Sequence, residues 1–210
     1  MERYIFKETE WYLLTSNIIN LLDINKIFYQ KSVALVGNSE SLLTKEYGNL
    51  IDSYDVVCRI NRGIENIINN PISSGTKIDI LFYAMCRTDI IPFRLEKNVT
   101  CIQTTTKNSN ARLDNNTFFY NDTLALKSKL NLPKKKIPST GITAINMIHH
   151  AQPKKFGIYG FDFKQTPTYY HSTETYIKSH STPKSKHMWE QEERFVLDLI
   201  KKFPYITLHQ

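Results

Sequence analysis

Ser32-Val33-Ala34-Leu35-Val36-Gly37-Asn38-Ser39 is a short apolar run that ends in turn-forming residues. Such a run suits a strand buried on both faces, as a parallel strand covered by helices is. Four further runs share this character: Asp55 to Ile60, Ile78 to Ala84, Val99 to Thr104 and Phe156 to Tyr159. Polar or helical stretches separate them, notably Asp122 to Leu130 and Thr140 to Ala151. Strands alternating with helices predict an α/β fold with a Rossmann-like, open, mostly parallel twisted sheet flanked by helices.

Ahead of the first strand, Trp11, Leu14, Ile18, Leu21 and Leu22 recur at helical spacing between Glu8 and Tyr29. They predict one or two amphipathic helices and read as core rather than as a membrane helix. Near the other end, Met188, Phe195, Val196, Leu199 and Ile200 share a helix face that Pro204 stops, and a short strand over Tyr205 to Leu208 follows. Lys164 to Lys186 is rich in Thr, Ser, Tyr, Lys and His and lacks apolar periodicity, so a lid or acceptor loop is expected there. A chain of 210 residues supports one substantial core, and one domain over 1–210 is expected, with N-terminal helices in 1–30.

Hydrophobic residues make up 41% and charged residues 22%, which excludes wholesale disorder. The formal net charge of +7 suits an anionic ligand, a nucleic acid or an anionic membrane face, and charge does not choose among them. No segment approaches the roughly 18 to 20 apolar residues of a membrane span. Glu2, Glu8, Glu10 and Asp23 interrupt the first thirty residues, so no cleaved signal peptide is expected. Cys58, Cys86 and Cys101 form no metal-ligand spacing. So sparse and odd a count fits a reducing compartment, and a cytoplasmic enzyme is the expectation.

Three turns carry candidate chemistry. Gly37 after a strand lets the backbone approach a ligand, and Asn38 and Ser39 add short side-chain donors beside the following helix N-terminus. Plain turn chemistry explains the same residues. Asn61, at the end of the second run, can hydrogen-bond a ribose, a base or a phosphate, or simply cap the turn. Ser139-Thr140-Gly141 opens a helix and reads either as an N-cap or as an anion cradle.

Together these stretches resemble the animal-type sialyltransferases. The large sialylmotif resembles Val33 to Gly63, with its Gly37-Asn38-Ser39 turn, Ile51-Asp52, and the Arg59-Ile60-Asn61 strand end. Gly75-Thr76-Lys77 resembles the triplet that follows this motif. The small motif resembles Pro138-Ser139-Thr140-Gly141 followed by Ile158-Tyr159-Gly160-Phe161. The very small motif, a His and a Glu separated by four residues, resembles His187 to Glu192. His171-Ser172-Thr173-Glu174 keeps only the ends of the third motif, with Tyr169-Tyr170 beside it. Tyr159-Gly160-Phe161-Asp162-Phe163 is also similar to bacterial sialyltransferases of this CMP-sugar fold. The chain departs from the animal enzymes in two ways: Ser32 stands near the place of their first disulfide cysteine, and no membrane anchor is expected. Both departures lead us to expect a soluble bacterial or viral member.

The resemblance implies an inverting, metal-independent transfer of sialic acid from CMP-sialic acid to a glycan hydroxyl, with no cofactor. His187 would be the general base, since an imidazole titrates near neutral pH. His171, Tyr169 or Tyr170 would hydrogen-bond the departing phosphate. Glu192, five positions after His187, is expected to fix the helix or a neighbouring loop rather than to work with it. The donor site implied comprises Gly37, Asn38, Ser39, Asn61, Ser139, Thr140, Gly141, Gly160, Phe161, Asp162, Tyr169 and Tyr170. No Asp-x-Asp occurs, and one phosphate needs less neutralisation than a diphosphate does. Lys134-Lys135-Lys136 reads as a steering patch for the anionic donor or as a solvated face. His149 and His150 read as structural. A related CMP-Kdo transferase stays open, as does a non-catalytic CMP- or nucleic-acid-binding protein. Among partners, nucleic acid is not expected and peripheral membrane association stays open.

Overall fold

The computed structural model describes residues 21–84, 99–104, 117–119, 123–170 and 185–210. The strands are β1 (Ser32–Val36), β2 (Val56–Ile60), β3 (Ile80–Tyr83), β4 (Thr100–Gln103), β5 (Thr117–Phe119), β6 (Lys155–Tyr159) and β7 (Ile206–His209). They form one seven-stranded sheet in the order β5-β4-β3-β2-β1-β6-β7, and every pairing in it is parallel. The predicted runs therefore sit in the sheet, the first four trimmed at their ends and the run at Phe156 to Tyr159 extended by Lys155. β5 was not expected: three residues are too few for a periodic signal. The predicted last strand begins one residue later than expected.

Within β1 the side chains alternate between faces, as the period of two requires. Val33 and Leu35 join one core with Phe156, Ile158 and the helix Thr140–His150, whereas Ala34 and Val36 join Leu42, Ile51, Tyr54 and Tyr159 on the other side. The helices are α1 (Leu21–Phe28), α2 (Gly48–Asp52), α3 (Ile64–Asn69), α4 (Pro71–Ser74), α5 (Thr123–Lys129), α6 (Thr140–His150) and α7 (Trp189–Lys202), with a 3-10 turn over Glu40–Thr44. α6 is buried from Thr140 to Ile148, which its mixed Thr, Ala, Ile and Met sequence permits. α7 is amphipathic: Val196 and Leu199 are buried and Leu197 is exposed. Most of the N-terminal stripe, including Trp11, Leu14 and Ile18, lies outside the described residues.

Parts of the large-motif stretch are tied together structurally. Asp52 accepts hydrogen bonds from the Thr76 N–H at 2.8 Å and the Lys77 N–H at 2.9 Å, and Gly75 makes this approach in a left-handed conformation (φ 72°). Arg59, fully buried, donates to the carbonyls of Ser74 and Lys77 at 2.8 and 3.0 Å. At the near end of β1, Ser32 donates from its N–H and its hydroxyl to Asp55 at 2.8 and 2.7 Å. Cys58 and Cys101 are buried free thiols, and Cys86 lies outside the described residues. His149 contacts the Tyr205 hydroxyl at 2.9 Å and packs on Phe203, in keeping with a structural part.

The chain winds from β1 outward to β5 and then returns to the other side of β1 with β6 and β7. The sheet order thus reverses between β1 and β6, and an open α/β sheet splits into a crevice beyond the carboxyl ends of strands at such a point.

Candidate active site

A cleft of about 620 Å3 occupies that crevice. Gly37, Asn38 and Ser39 line it from β1, Ile60 and Asn61 from β2, and Gly160, Phe161 and Asp162 from β6. Ser139, Thr140 and Gly141 at the start of α6 form another wall, and Lys186, His187, Trp189 and Glu192 complete it from the start of α7.

Glycines allow three segments to converge on one ring. The ladder of β1 and β6 continues past the strands, with Gly37 N–H donating to Tyr159 at 2.7 Å and Ser39 N–H to Gly160 at 3.1 Å. A methyl group at Gly37 would collide with the Gly160 carbonyl and would lie 2.8 Å from the Phe161 ring. A methyl group at Gly141 would lie 2.6 Å from the same ring. Phe161 therefore sits where only glycine leaves room on either side.

Several expected donors are already engaged within the protein. The Ser39 hydroxyl meets Asp162 at 2.7 Å and Thr166 at 2.9 Å. Asp162 also accepts from the N–H groups of Lys164 and Thr166 at 3.0 and 2.8 Å. Ser39 and Asp162 thus pin the two loops to each other. Asn38 spends one amide N–H on the Ile60 carbonyl at 3.0 Å, and an amide has a second. Asn61 is left-handed (φ 48°) and accepts from the Ala84 N–H at 3.3 Å, so it caps the end of β3 at the cleft wall. Tyr169 does not line the cleft: its hydroxyl donates to the Arg62 carbonyl at 2.7 Å, and burial drives its pKa up. Tyr170 does line it, with the Arg62 guanidinium 5.1 Å from its ring. His171 lies outside the described residues, as does most of the expected lid. The first part of that lid is pinned to the Gly-Asn-Ser loop: Thr168 bridges Ser39, and Glu40 N–H donates to Pro167 at 3.1 Å.

Ser139 is the N-cap of α6, accepting from the Ile142 N–H at 3.2 Å. Its own N–H and hydroxyl donate to Glu192 at 2.8 and 2.6 Å. Glu192 is 2% exposed, and burial lifts its carboxyl to about 7 against the lowering effect of those hydrogen bonds. The carboxylate therefore fixes a neighbouring loop, one of the two parts open to it in the sequence. His187 is held by one residue of that loop. Its Nδ1 lies 3.0 Å from the Ile137 carbonyl, and the Ile137 N–H donates to Lys186 at 2.9 Å. A carbonyl only accepts, so Nδ1 carries the hydrogen and the neutral ring keeps its lone pair on Nε2. Lys135 also lines the cleft, whereas Lys136 turns to the Ser185 carbonyl. Among the described residues, no three His, Cys, Asp or Glu side chains gather as a metal site. No helix there is long and apolar enough to cross a membrane. Sequence reading passed over Lys164, Thr166 and Trp189, which line the cleft where the turn after β6 approaches the start of α7.

Comparisons with known proteins bear on the fold that carries this cleft. The model of glycosyltransferase family 29 (sialyltransferase) matches residues 25–78, from α1 to the approach of β3. Among solved structures, a mammalian sialyltransferase in complex with Gal-beta-1-3GalNAc-ortho-nitrophenol aligns over 100% of this chain and 81% of its own. Its identity is 16% and the TM-score 0.66. The sialyltransferase CstII from Campylobacter jejuni, in complex with the substrate analogue CMP-3FNeuAc, aligns at 13% identity over 85% of this chain and 81% of its own, TM-score 0.54. The monofunctional alpha-2,3-sialyltransferase Cst-I from the same organism aligns at 17% identity over 86% and 75%, TM-score 0.57. A search of curated proteins gives no match. A family 29 (sialyltransferase) model thus matches the chain from α1 to the approach of β3, and the fold that surrounds its cleft is the one seen in solved sialyltransferases.

Proposed function

We propose that the chain transfers sialic acid from CMP-sialic acid to a glycan hydroxyl, with inversion at the anomeric carbon and without a metal ion. The observation that carries this reading is His187 on the cleft wall with its Nδ1 3.0 Å from the Ile137 carbonyl, a contact that would make Nε2 the basic nitrogen. The acceptor hydroxyl attacks the anomeric carbon while its proton passes to Nε2. The bond from that carbon to the phosphate oxygen breaks, and CMP leaves with the electron pair. A base held in the right tautomer lowers the cost of this step by roughly the 10²–10⁴-fold usual for general bases. The N-terminus of α6, with Thr140 and Gly141 on the cleft, suits a donor that bears a carboxylate and a phosphodiester. The solved CstII complex with CMP-3FNeuAc supports the same donor class.

The test is CMP release from CMP-sialic acid and from CMP-Kdo, with EDTA present, with and without glycan acceptors. Acceptor-dependent release from CMP-sialic acid that EDTA does not diminish is the expected result. Release from CMP-Kdo alone would move the donor assignment. No release from either donor across a broad acceptor panel would refute transfer altogether.

A further inference from the structure

Of the described residues that line the cleft, only Lys135, Ile137 and Lys186 are exposed; the others are buried or half-buried. These three mark its mouth. They belong to two short segments, 134–137 and 185–187, that are fastened to each other. The Ile137 N–H donates to the Lys186 carbonyl at 2.9 Å, and the Lys136 ammonium donates to the Ser185 carbonyl. The Ile137 carbonyl lies 3.0 Å from Nδ1 of His187. The imidazole and the two lysines of the mouth therefore ride on one piece of structure.

The positive charge there is not neutralised by its surroundings. No acidic residue occurs in the chain between Asp122 and Asp162. The acids of the lining, Asp162 and Glu192, are buried and engaged, Asp162 by Ser39 and Thr166 and Glu192 by Ser139. Glu190 and Glu193, at the start of α7, do not line the cleft, and Glu193 accepts from Gln165 at 3.4 Å. Lys127 and Lys136 are spent on main-chain carbonyls, whereas no ion pair or hydrogen bond engages the Lys135 or Lys186 ammonium among the described residues. A cleft mouth lined by one sign of charge concentrates ligands of the other sign.

The two reactants of the transfer divide this cleft. The donor suits the N-terminus of α6, where Thr140 and Gly141 are buried. A glycan acceptor presents one hydroxyl to His187 and has to extend outward past the exposed residues. We propose that the acceptor is an anionic glycan, with a carboxylate or a phosphate near the attacking hydroxyl, and that Lys135 and Lys186 select it. The inference rests on the transfer reading given above and names the acceptor that reading left open.

The test compares CMP release from CMP-sialic acid with three acceptors: a neutral lactoside, the same lactoside carrying a sialic acid, and its phosphate ester. At least one anionic acceptor is expected to exceed the neutral one in kcat/KM by about tenfold, through KM. Exposed charge pairs give about two- to fivefold each, and two such lysines act together. The advantage should shrink as salt is raised from about 50 to 300 mM, which screens exposed charges. The double variant Lys135→Gln/Lys186→Gln should lose the preference, and Lys135→Arg/Lys186→Arg should keep it. Which anionic acceptor is favoured separates carboxylate from phosphate. A neutral acceptor used as well as both anionic ones overturns the inference and leaves the CMP-sialic acid reading standing. A preference that survives in the glutamine variant also overturns it, as does an equal loss for all three acceptors, the mark of a structural part. So does a rise in KM for CMP-sialic acid alone, which would give the lysines to the donor. Should the glutamine variant fail to fold, a wild-type preference that salt does not diminish overturns it instead. No release with any acceptor refutes the transfer reading and this inference together.

Discussion

Glu192 should make the stability of this protein fall as the pH rises through neutrality, and Glu192→Gln should abolish that dependence. The carboxyl is 2% exposed and moves from an ordinary 4.5 to about 7 because burial penalises its charge more than two Ser139 hydrogen bonds relieve it. A group raised in the folded state keeps its proton there while the unfolded chain has released it. Its contribution is thus fully present below about 4.5 and is lost as the pH passes through 7. At about 1.4 kcal/mol for each tenfold change in proton affinity, the rise amounts to about 3 kcal/mol. Glutamine keeps the shape and an acceptor for the Ser139 N–H but does not titrate. Urea unfolding of both proteins from about pH 4.5 to 8 measures the difference, in which other titrating groups cancel. The difference should shift by about 3 kcal/mol in favour of the variant across that window. A difference flat to within about 0.5 kcal/mol would refute the reasoning. A shift of opposite sign would mean that the α6 N-terminus stabilises the carboxylate more than burial penalises it.

Three further outcomes are expected. Gly37→Ala should cost about 1–3 kcal/mol in denaturant unfolding, because the new methyl meets the Gly160 carbonyl and the Phe161 ring rather than a flexible side-chain end. His187→Ala should lower acceptor-dependent CMP release by roughly 10²–10⁴-fold. Its unfolding free energy should change by only about 1 kcal/mol, the worth of one lost hydrogen bond. Asp162→Ala should destabilise the fold by roughly 2–4 kcal/mol, since Ser39, Lys164 and Thr166 all lose their acceptor. Asp162→Asn, which retains an acceptor oxygen, should cost less in the same urea titration.

The strands and main helices were legible because their signals are local. β1 announces itself within eight residues, and α7 through the periodicity of Phe195, Val196 and Leu199. β5 was not legible, being three residues whose place depends on pairing with β4. The turns of the site were also readable, and the cleft draws together Gly37, Asn61, Ser139 and His187. What each side chain does there was far less readable. Ser39 and Asp162 look like ligand donors in the sequence, yet they hydrogen-bond each other across 123 positions. Tyr169 and Tyr170 are equivalent by composition, but one hydroxyl turns to the Arg62 carbonyl and the other ring faces the cleft.

By itself, then, the sequence determined the alternation of strands and helices and the glycines that end the strands, since these follow from hydrophobic period and backbone freedom over a few neighbouring residues. Only the tertiary structure decided which polar groups face the cleft. β6 pairs with β1 rather than with β5, and that choice presses Gly160-Phe161-Asp162 onto Gly37 and brings Lys164 beside Trp189. Contacts made across so many residues depend on packing and hydrogen-bond geometry in three dimensions, which no local spacing encodes.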